Sequence, residues 1–273
     1  MARTKTDELV FLPLGGVGEI GMNLALYGLG PSDARQWLAV DFGVGFAGED
    51  LPGVDLIMPD IAYLEEERTN LAGIVITHAH EDHFGALLDL WPRLRVPVYA
   101  TAFTAGLLAA KRAGHPGSPE VPVTIVRPGE RRRIGPFEVE FIAVAHSILE
   151  PMALAIRSPL GTVVHTGDWK LDPTPVIGPV TDAERFAAIG DEGVLALVCD
   201  STNAMRPGRS PSESEVAREL KAVIAEARGR VFFTTFASNI ARIRSIAEAA
   251  AANDRQVVLV GRALHRACQV AHE

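Results

Sequence analysis

The run Gly73-Ile74-Val75-Ile76-Thr77-His78-Ala79-His80-Glu81-Asp82-His83 decides how this chain is read. An apolar stretch of strand length, Gly73–Thr77, opens directly onto four potential metal ligands within six residues. A strand end followed by a turn lets successive side chains converge on one point. His78 and His80 stand two apart and share a face in extended chain, while Asp82 and His83 fall on the opening turn of the helix expected over Glu81–Trp91. Imidazole and carboxylate donors suit Zn2+ or Mn2+. One ion can hardly use all four if other parts of the chain contribute, so the spacing suggests two. A surface loop that is merely rich in histidine accounts poorly for three of the chain's eight His within six positions.

Two further candidates stand at comparable strand ends. His146 follows Val139–Ala145, and Asp168 follows Thr162–Thr166. Alone, either is more often a hydrogen-bonded structural residue. With the cluster they fit a dinuclear site, because one carboxylate can bridge two cations. His165 reads as core or as support for the site, and His115, in Gly114-His115-Pro116, as loop.

The 273 residues are 48% hydrophobic and 22% charged, a globular composition that excludes a largely disordered chain. With 26 basic and 34 acidic side chains the formal net charge is −8. That excludes a module that binds nucleic acid by bulk positive charge, though not a local basic groove or an ion that handles phosphate. No apolar run approaches the roughly 18 residues of a membrane span, so no membrane partner is expected. The polar start, Met1–Glu8, and the breaks at Pro13 and Gly15-Gly16 argue against a signal peptide. Cys199 and Cys268 make no disulfide framework; a reducing cytoplasm is expected, with both as small buried hydrophobes.

Strand-length apolar runs fill the first part of the chain: Val10–Leu14, Asn23–Tyr27, Trp37–Val40, Gly73–Thr77, Val96–Ala100, Val123–Val126, Val139–Val144, Ala153–Arg157 and Thr162–His165. With helices sparse between them, at Glu81–Trp91 and Ala102–Ala113, they predict two sheets with helices outside. After Asp200 the pattern changes. Ser210-Pro211-Ser212-Glu213 reads as a helix start, with Ser210 the cap, and the helix runs to Gly229. Strand Val231–Phe236, helix Asn239–Ala252, strand Val257–Val260 and helix Ala263–Ala271 then alternate in the Rossmann manner. A boundary near 203–210 divides the chain into 1–205 and 206–273.

The chain resembles the metallo-β-lactamase-fold hydrolases and, among them, the ribonuclease J family of the β-CASP nuclease group. The resemblance is carried by Pro13–Asn23 with its glycines, Asp41-Phe42-Gly43, the His78–His83 cluster, His146-Ser147-Ile148, Thr166–Asp172, Cys199–Ala204 and Phe236-Ala237-Ser238-Asn239. It implies an α/β fold: an αββα sandwich over 1–205, incomplete, followed by the start of a Rossmann-like β-CASP domain over 206–273. It implies that His78, His80 and His146 hold one divalent ion and Asp82 and His83 a second, with Asp168 between them. Asp41 would orient a ligand histidine, Asp200 would serve acid/base chemistry with Asp82 and Asp168 at the catalytic centre, and Ser238 would meet the 5′ phosphate of RNA. The reaction implied is hydrolysis of RNA phosphodiester bonds by a water activated between two divalent ions, Zn2+ with Mn2+ as the alternative, cutting internally and from the 5′ end. A homo-oligomer is implied for the complete protein.

Lys170, Arg206, Arg209 and Arg242 could line an RNA groove or simply face solvent, and Arg127–Arg133 reads as an exposed turn before Gly135-Pro136. The match departs from the family at Ala79, which stands where glycine is usual, and at Leu149-Glu150-Pro151 after His146. The chain also reads as a fragment, expected to hold about one ion tightly and to turn RNA over slowly. The competing readings are another hydrolase of this fold, acting on a thioester, lactone or lactam, and an inactive truncated binding module.

Overall fold

A computed structural model describes residues 6–272; residues 1–5 and 273 lie outside it. In chain order the elements are β1 (Glu8–Gly15), β2 (Leu24–Gly30), β3 (Gln36–Val40), β4 (Gly45–Phe46), β5 (Leu56–Ile57), α1 (Ala62–Glu66), β6 (Leu71–Val75), α2 (Glu81–Phe84), α3 (Leu87–Leu94), β7 (Val98–Ala100) and α4 (Ala102–Ala113). There follow β8 (Val123–Ile125), β9 (Arg131–Ile134), β10 (Phe137–Ala143), β11 (Met152–Ser158), β12 (Gly161–His165), α5 (Ala183–Glu192), β13 (Ala196–Val198), α6 (Glu213–Glu226), α7 (Ile240–Ala251) and α8 (Arg262–His272).

Period-two alternation sorts the strands into two faces. On β2, Ala25 and Tyr27 point into the core between the sheets, while Leu24 and Leu26 point to the helices. The first sheet runs β1-β2-β3-β6-β7-β8, antiparallel through β3 and parallel from β3 to β8. The second runs β13-β12-β11-β10-β9, antiparallel except for the β12–β13 pair. Leu38, Val40 and Val75 of one sheet meet Phe137, Phe141 and Leu154 of the other in the middle layer. Trp37, Ile74 and Ile76 pack under Leu87, Trp91 and Phe103 on one outer face, and Val144, Ala155 and Val164 pack near Ile189 of α5 on the other. The architecture is the expected αββα sandwich.

The helix expected over Glu81–Trp91 is two helices. An unbroken helix would give the Asp82 carbonyl to Ala86 N–H; instead it accepts from Asn23 N at 3.0 Å, and Ala86 N donates to Phe42 O at 2.9 Å. Arg131–Arg133, expected as a turn, form β9, and the turn falls at Gly135-Pro136. The cap of α6 is Ser212 and not Ser210: its side chain accepts from Glu215 N and the Glu215 carboxylate accepts from Ser212 N, a capping box.

Val231–Phe236 and Val257–Val260 join no ladder among the described residues. They line an apolar cavity of about 450 Å3 with Ile243 and Leu264, and Phe232, Phe236 and Val258 are exposed. β propensity makes a strand only where a neighbour supplies the hydrogen bonds. Helix α8 docks on α4, where Gly106 leaves room for Val270: a Cβ there would lie 2.6 Å from Val270 Cγ1.

On β10, the buried Glu140 accepts from Arg157 at 2.6 Å and from Arg185 at 2.6 and 3.0 Å, with Arg131 at 3.2 Å. Burial opposes ionisation, but the Arg185 and Arg157 hydrogen bonds outweigh it and hold the carboxyl at about 2. Its folded pKa is thus depressed, so the stabilisation is complete above the unfolded value of about 4.3 and is lost as pH falls toward the folded one. Glu140→Gln is expected to cost about 2–3 kcal/mol at pH 7 in urea unfolding, and the gap to wild type should close as pH falls from about 5 to about 2. A gap independent of pH would show that shape and not charge matters there.

Candidate metal centre

The site is built where β3 and β6 end side by side. Past Val40 the chain turns at Asp41, which is buried and left-handed, with φ of 64°. Its carboxylate accepts from Thr77 N at 2.7 Å and from Thr77 Oγ1 at 2.9 and 3.1 Å, which ends the β6 ladder and holds the His78–His83 segment against Asp41. Phe42 N donates to His83 O at 2.6 Å and Val44 N to Glu81 O at 3.0 Å, so this turn also holds α2. The approach requires glycine at position 43, where a Cβ would sit 1.6 Å from Asp82 O. Ala79 is not among the left-handed residues, so its methyl group is accommodated in place of glycine.

Six ligand candidates come from this frame and from the second sheet. His78 Nε2 and His146 Nε2 each lie 3.1 Å from His80 Nδ1. Asp168 Oδ2 is 3.4 Å from His146 Nε2 and 4.0 Å from His78 Nε2. The other oxygen, Asp168 Oδ1, is 3.2 Å from His83 Nε2, which in turn lies 3.6 Å from Asp82 Oδ2. Two groups therefore form, His78–His80–His146–Asp168 and Asp82–His83–Asp168, and they share Asp168.

The electrostatics suit cations. Burial, then the neighbouring imidazoles, push His78 well below its ordinary value and His80 to about 3. His146 falls to about 4, mainly through burial. These rings are neutral near pH 7 and offer lone pairs. His83 behaves otherwise: burial opposes its charge, but Asp41 and Asp168 raise it well above its ordinary value. Its Nδ1 is 2.7 Å from Asp41 Oδ2, and its Nε2 faces two carboxylates. That point demands positive charge, which a divalent ion supplies. Asp168 is held near 2, burial being outweighed by His83 and the other imidazoles, whereas burial raises Asp82. Nitrogen and carboxylate donors without thiolate fit the two-ion set.

Asp200 lines a cavity of about 510 Å3 together with Asp82, His83, Asp168 and the Gly15–Gly21 loop. It also lines an adjoining cavity of about 830 Å3 with Trp169, Lys170, Arg209 and Arg218. Ser238 lies apart from the ligands, in the turn before α7; Ala241, in the first turn of that helix, shares a small cavity with His146. Of the basic candidates, Lys170 pairs with Asp172 at 2.9 Å and Glu213 at 3.4 Å, and Arg242 pairs with Glu213 at 3.1 Å. Arg206 is exposed. Contrary to expectation, Cys199 is exposed and Cys268 half-buried: the short β13 ends at the mouth of the site, with no layer over Cys199.

Sequence reasoning gave no role to Asn23, Thr77 or Glu150. The Asn23 amide donates to Asp82 O at 3.1 Å and touches His83 Nε2 at 3.1 Å. Glu150, part of the Leu149-Glu150-Pro151 departure, accepts from Phe103 N at 2.8 Å at the start of α4. That Asn23 sits in a glycine-rich run facing the cluster was the available signal.

Comparison with known proteins agrees with this geometry. A model of the beta-lactamase superfamily domain matches residues 37–188, and a model of the ribonuclease J beta-CASP domain matches 228–273. A Sinorhizobium meliloti protein named ribonuclease J is 62% identical over 98% of this chain and 47% of its own length. Ribonuclease J of Thermus thermophilus is 42% identical over 98% of this chain and 47% of its own. The chain thus spans about half the length of these curated relatives. A solved structure of a protein of unknown function from Enterococcus faecalis V583 shares the fold, with a TM-score of 0.64 and 21% identity, covering 88% of this chain and 63% of that one. With the histidine cluster at the end of β6, the αββα layers and both family models in order along the sequence, the chain belongs to the beta-lactamase superfamily, and its last segment matches the ribonuclease J beta-CASP domain.

Proposed function

We propose that this chain carries the dinuclear centre of a metal-dependent ribonuclease that cuts RNA internally and from the 5′ end. The observation that carries the reading is Asp168, whose two oxygens face two separate ligand groups. His78, His80 and His146 would hold one ion and Asp82 and His83 the other, with Asp168 shared between the two groups. Zn2+ is the ion these donors favour, with Mn2+ second. When bound, such ions supply Lewis acidity toward water and toward the phosphoryl oxygens.

The chain's own groups do the positioning. Asp41 holds His83 by Nδ1, so that Nε2 faces Asp82 and Asp168. Asp200 is fixed beside Asp168 by its amide, which donates to Thr166 Oγ1 at 3.0 Å. Its Oδ1 accepts from Thr202 N at 2.9 Å, which leaves Oδ2 to take or give a proton at the scissile phosphate. Ser238, in the turn before α7, would receive the 5′ phosphate. No described helix is long and apolar enough to cross a membrane; the setting proposed is the cytoplasm, with RNA as partner and a homo-oligomer as the working form.

Metal analysis of single variants tests the bridge. Asp168→Asn is expected to lower occupancy in both groups together, because each cation loses a charge partner, whereas His80→Ala should empty mainly the first. One group staying full in Asp168→Asn would make that residue a terminal ligand. RNA cleavage by the chain should be slow and abolished by chelation, and the complete protein should degrade 5′-monophosphate RNA faster than 5′-hydroxyl RNA at fixed salt. Ser238→Ala should erase the difference; equal rates on both substrates in wild type would remove the 5′ pocket.

A further inference from the structure

Thr77 lies between the two ligand groups, and nothing above gives its hydroxyl a role in the chemistry of the site. The side chain is fully buried. Its Oγ1 is 2.9 Å from Asp41 Oδ2, 3.1 Å from Asp41 Oδ1 and 3.0 Å from His78 Nδ1. A hydroxyl has one proton to give. Asp41 is surrounded by donors, namely Thr77 N, Thr77 Oγ1 and His83 Nδ1, and acts as acceptor toward each. Were the Thr77 proton turned to His78, an oxygen lone pair would face the Asp41 carboxylate across 2.9 Å with no proton between them. The proton therefore goes to Asp41, and Thr77 Oγ1 accepts from His78 Nδ1–H. His78 Nε2 then carries no proton and presents its lone pair toward His80 Nδ1 and Asp168.

The same side chain supports the turn that carries Asp168. Gly167 has φ of +55°, and a Cβ there would come within 3.1 Å of Thr77 Cβ and 3.2 Å of Thr77 Oγ1. Thr77 is thus packed against the Gly167 backbone on one side and hydrogen-bonded to Asp41 on the other.

We propose that Thr77 is a positioning residue that sets the tautomer of His78, so that one buried carboxylate, Asp41, orients a histidine of each group: His83 directly and His78 through the Thr77 hydroxyl. The role rests on the metal centre proposed above, and it concerns the ring proton, not the reaction.

The test compares wild type, Thr77→Ser and Thr77→Val in the 273-residue chain. Valine keeps the shape and removes the hydroxyl; serine keeps the hydroxyl. Long-range 1H–15N NMR of the metal-free protein reads which His78 nitrogen is protonated, and competition with a chromophoric chelator reads Zn2+ affinity. Wild type and Thr77→Ser are expected to carry the proton on Nδ1 and to bind Zn2+ alike. In Thr77→Val the proton should divide between the two nitrogens and Zn2+ should bind about 10- to 100-fold more weakly, the usual effect of losing the group that orients a ligand imidazole. A wild-type ring protonated on Nε2, or a Thr77→Val variant that binds Zn2+ as tightly as Thr77→Ser, overturns the role while leaving the metal centre in place. A wild-type chain that binds no Zn2+ overturns the metal centre, and this role with it. If Thr77→Val fails to fold, judged by circular dichroism, the wild-type and Thr77→Ser spectra decide the tautomer.

Discussion

The buried carboxylate of Asp41 is the constraint on which the site depends. It joins the ends of β3 and β6, accepts from Thr77 at backbone and side chain, and receives His83 Nδ1. To reach all of these the residue sits at φ of 64°. For a residue with a Cβ that conformation costs roughly 1–2 kcal/mol, and aspartate tolerates it better than most. Glycine would remove the strain but also the acceptor that the buried donors require. A strained, buried residue beside the ligand cluster is the arrangement expected where position matters more than local comfort.

Around this point the chain gives up regular structure to gain placement. The Asp82 carbonyl leaves the helical ladder for Asn23, which separates α2 from α3 and lets Asp82 and His83 face Asp168. Gly43 lets backbone approach backbone where any side chain would collide with Asp82 O. The candidate ligands thus rest on two sheet ends and a single helical turn, each held by hydrogen bonds from outside its own element, which is how a site is kept rigid when its residues lie in connecting segments.

Charge is managed in the same local way in a chain whose formal net charge is −8. The imidazoles of the first group are kept neutral by burial and by one another, and His83 is drawn toward positive charge by Asp41 and Asp168. Two of the four cationic side chains that the sequence offered for a groove serve inside the fold instead: Glu213 holds both Lys170 and Arg242, tying the start of α6 to α7 and to the segment after Asp168. Arg209 and Arg218 line the larger cavity beside Asp200. Attraction of a polyanion would thus rest on a few placed charges near the centre and not on overall charge.

What the sequence determined by itself was local. The spacing of His78, His80, Asp82 and His83 after an apolar strand, the period-two strands and the glycines of the opening run were all legible, because each depends on neighbours a few residues away. The same local rules erred where distant groups intervene. They read one helix where Asn23 makes two, a cap at Ser210 where the reciprocal bonds with Glu215 set it at Ser212, and strands at Val231–Phe236 and Val257–Val260, which join no ladder among the described residues. Only the tertiary structure decided that His146 and Asp168, 66 and 88 residues beyond His80 in the chain, close on it through the pairing of the second sheet. It also decided that Asp41 and Thr77 stand within hydrogen-bond reach of His83 and His78. Those facts arise from hydrogen bonds between segments far apart in sequence, and a strand's own residues specify that it pairs but not which group will stand at its end.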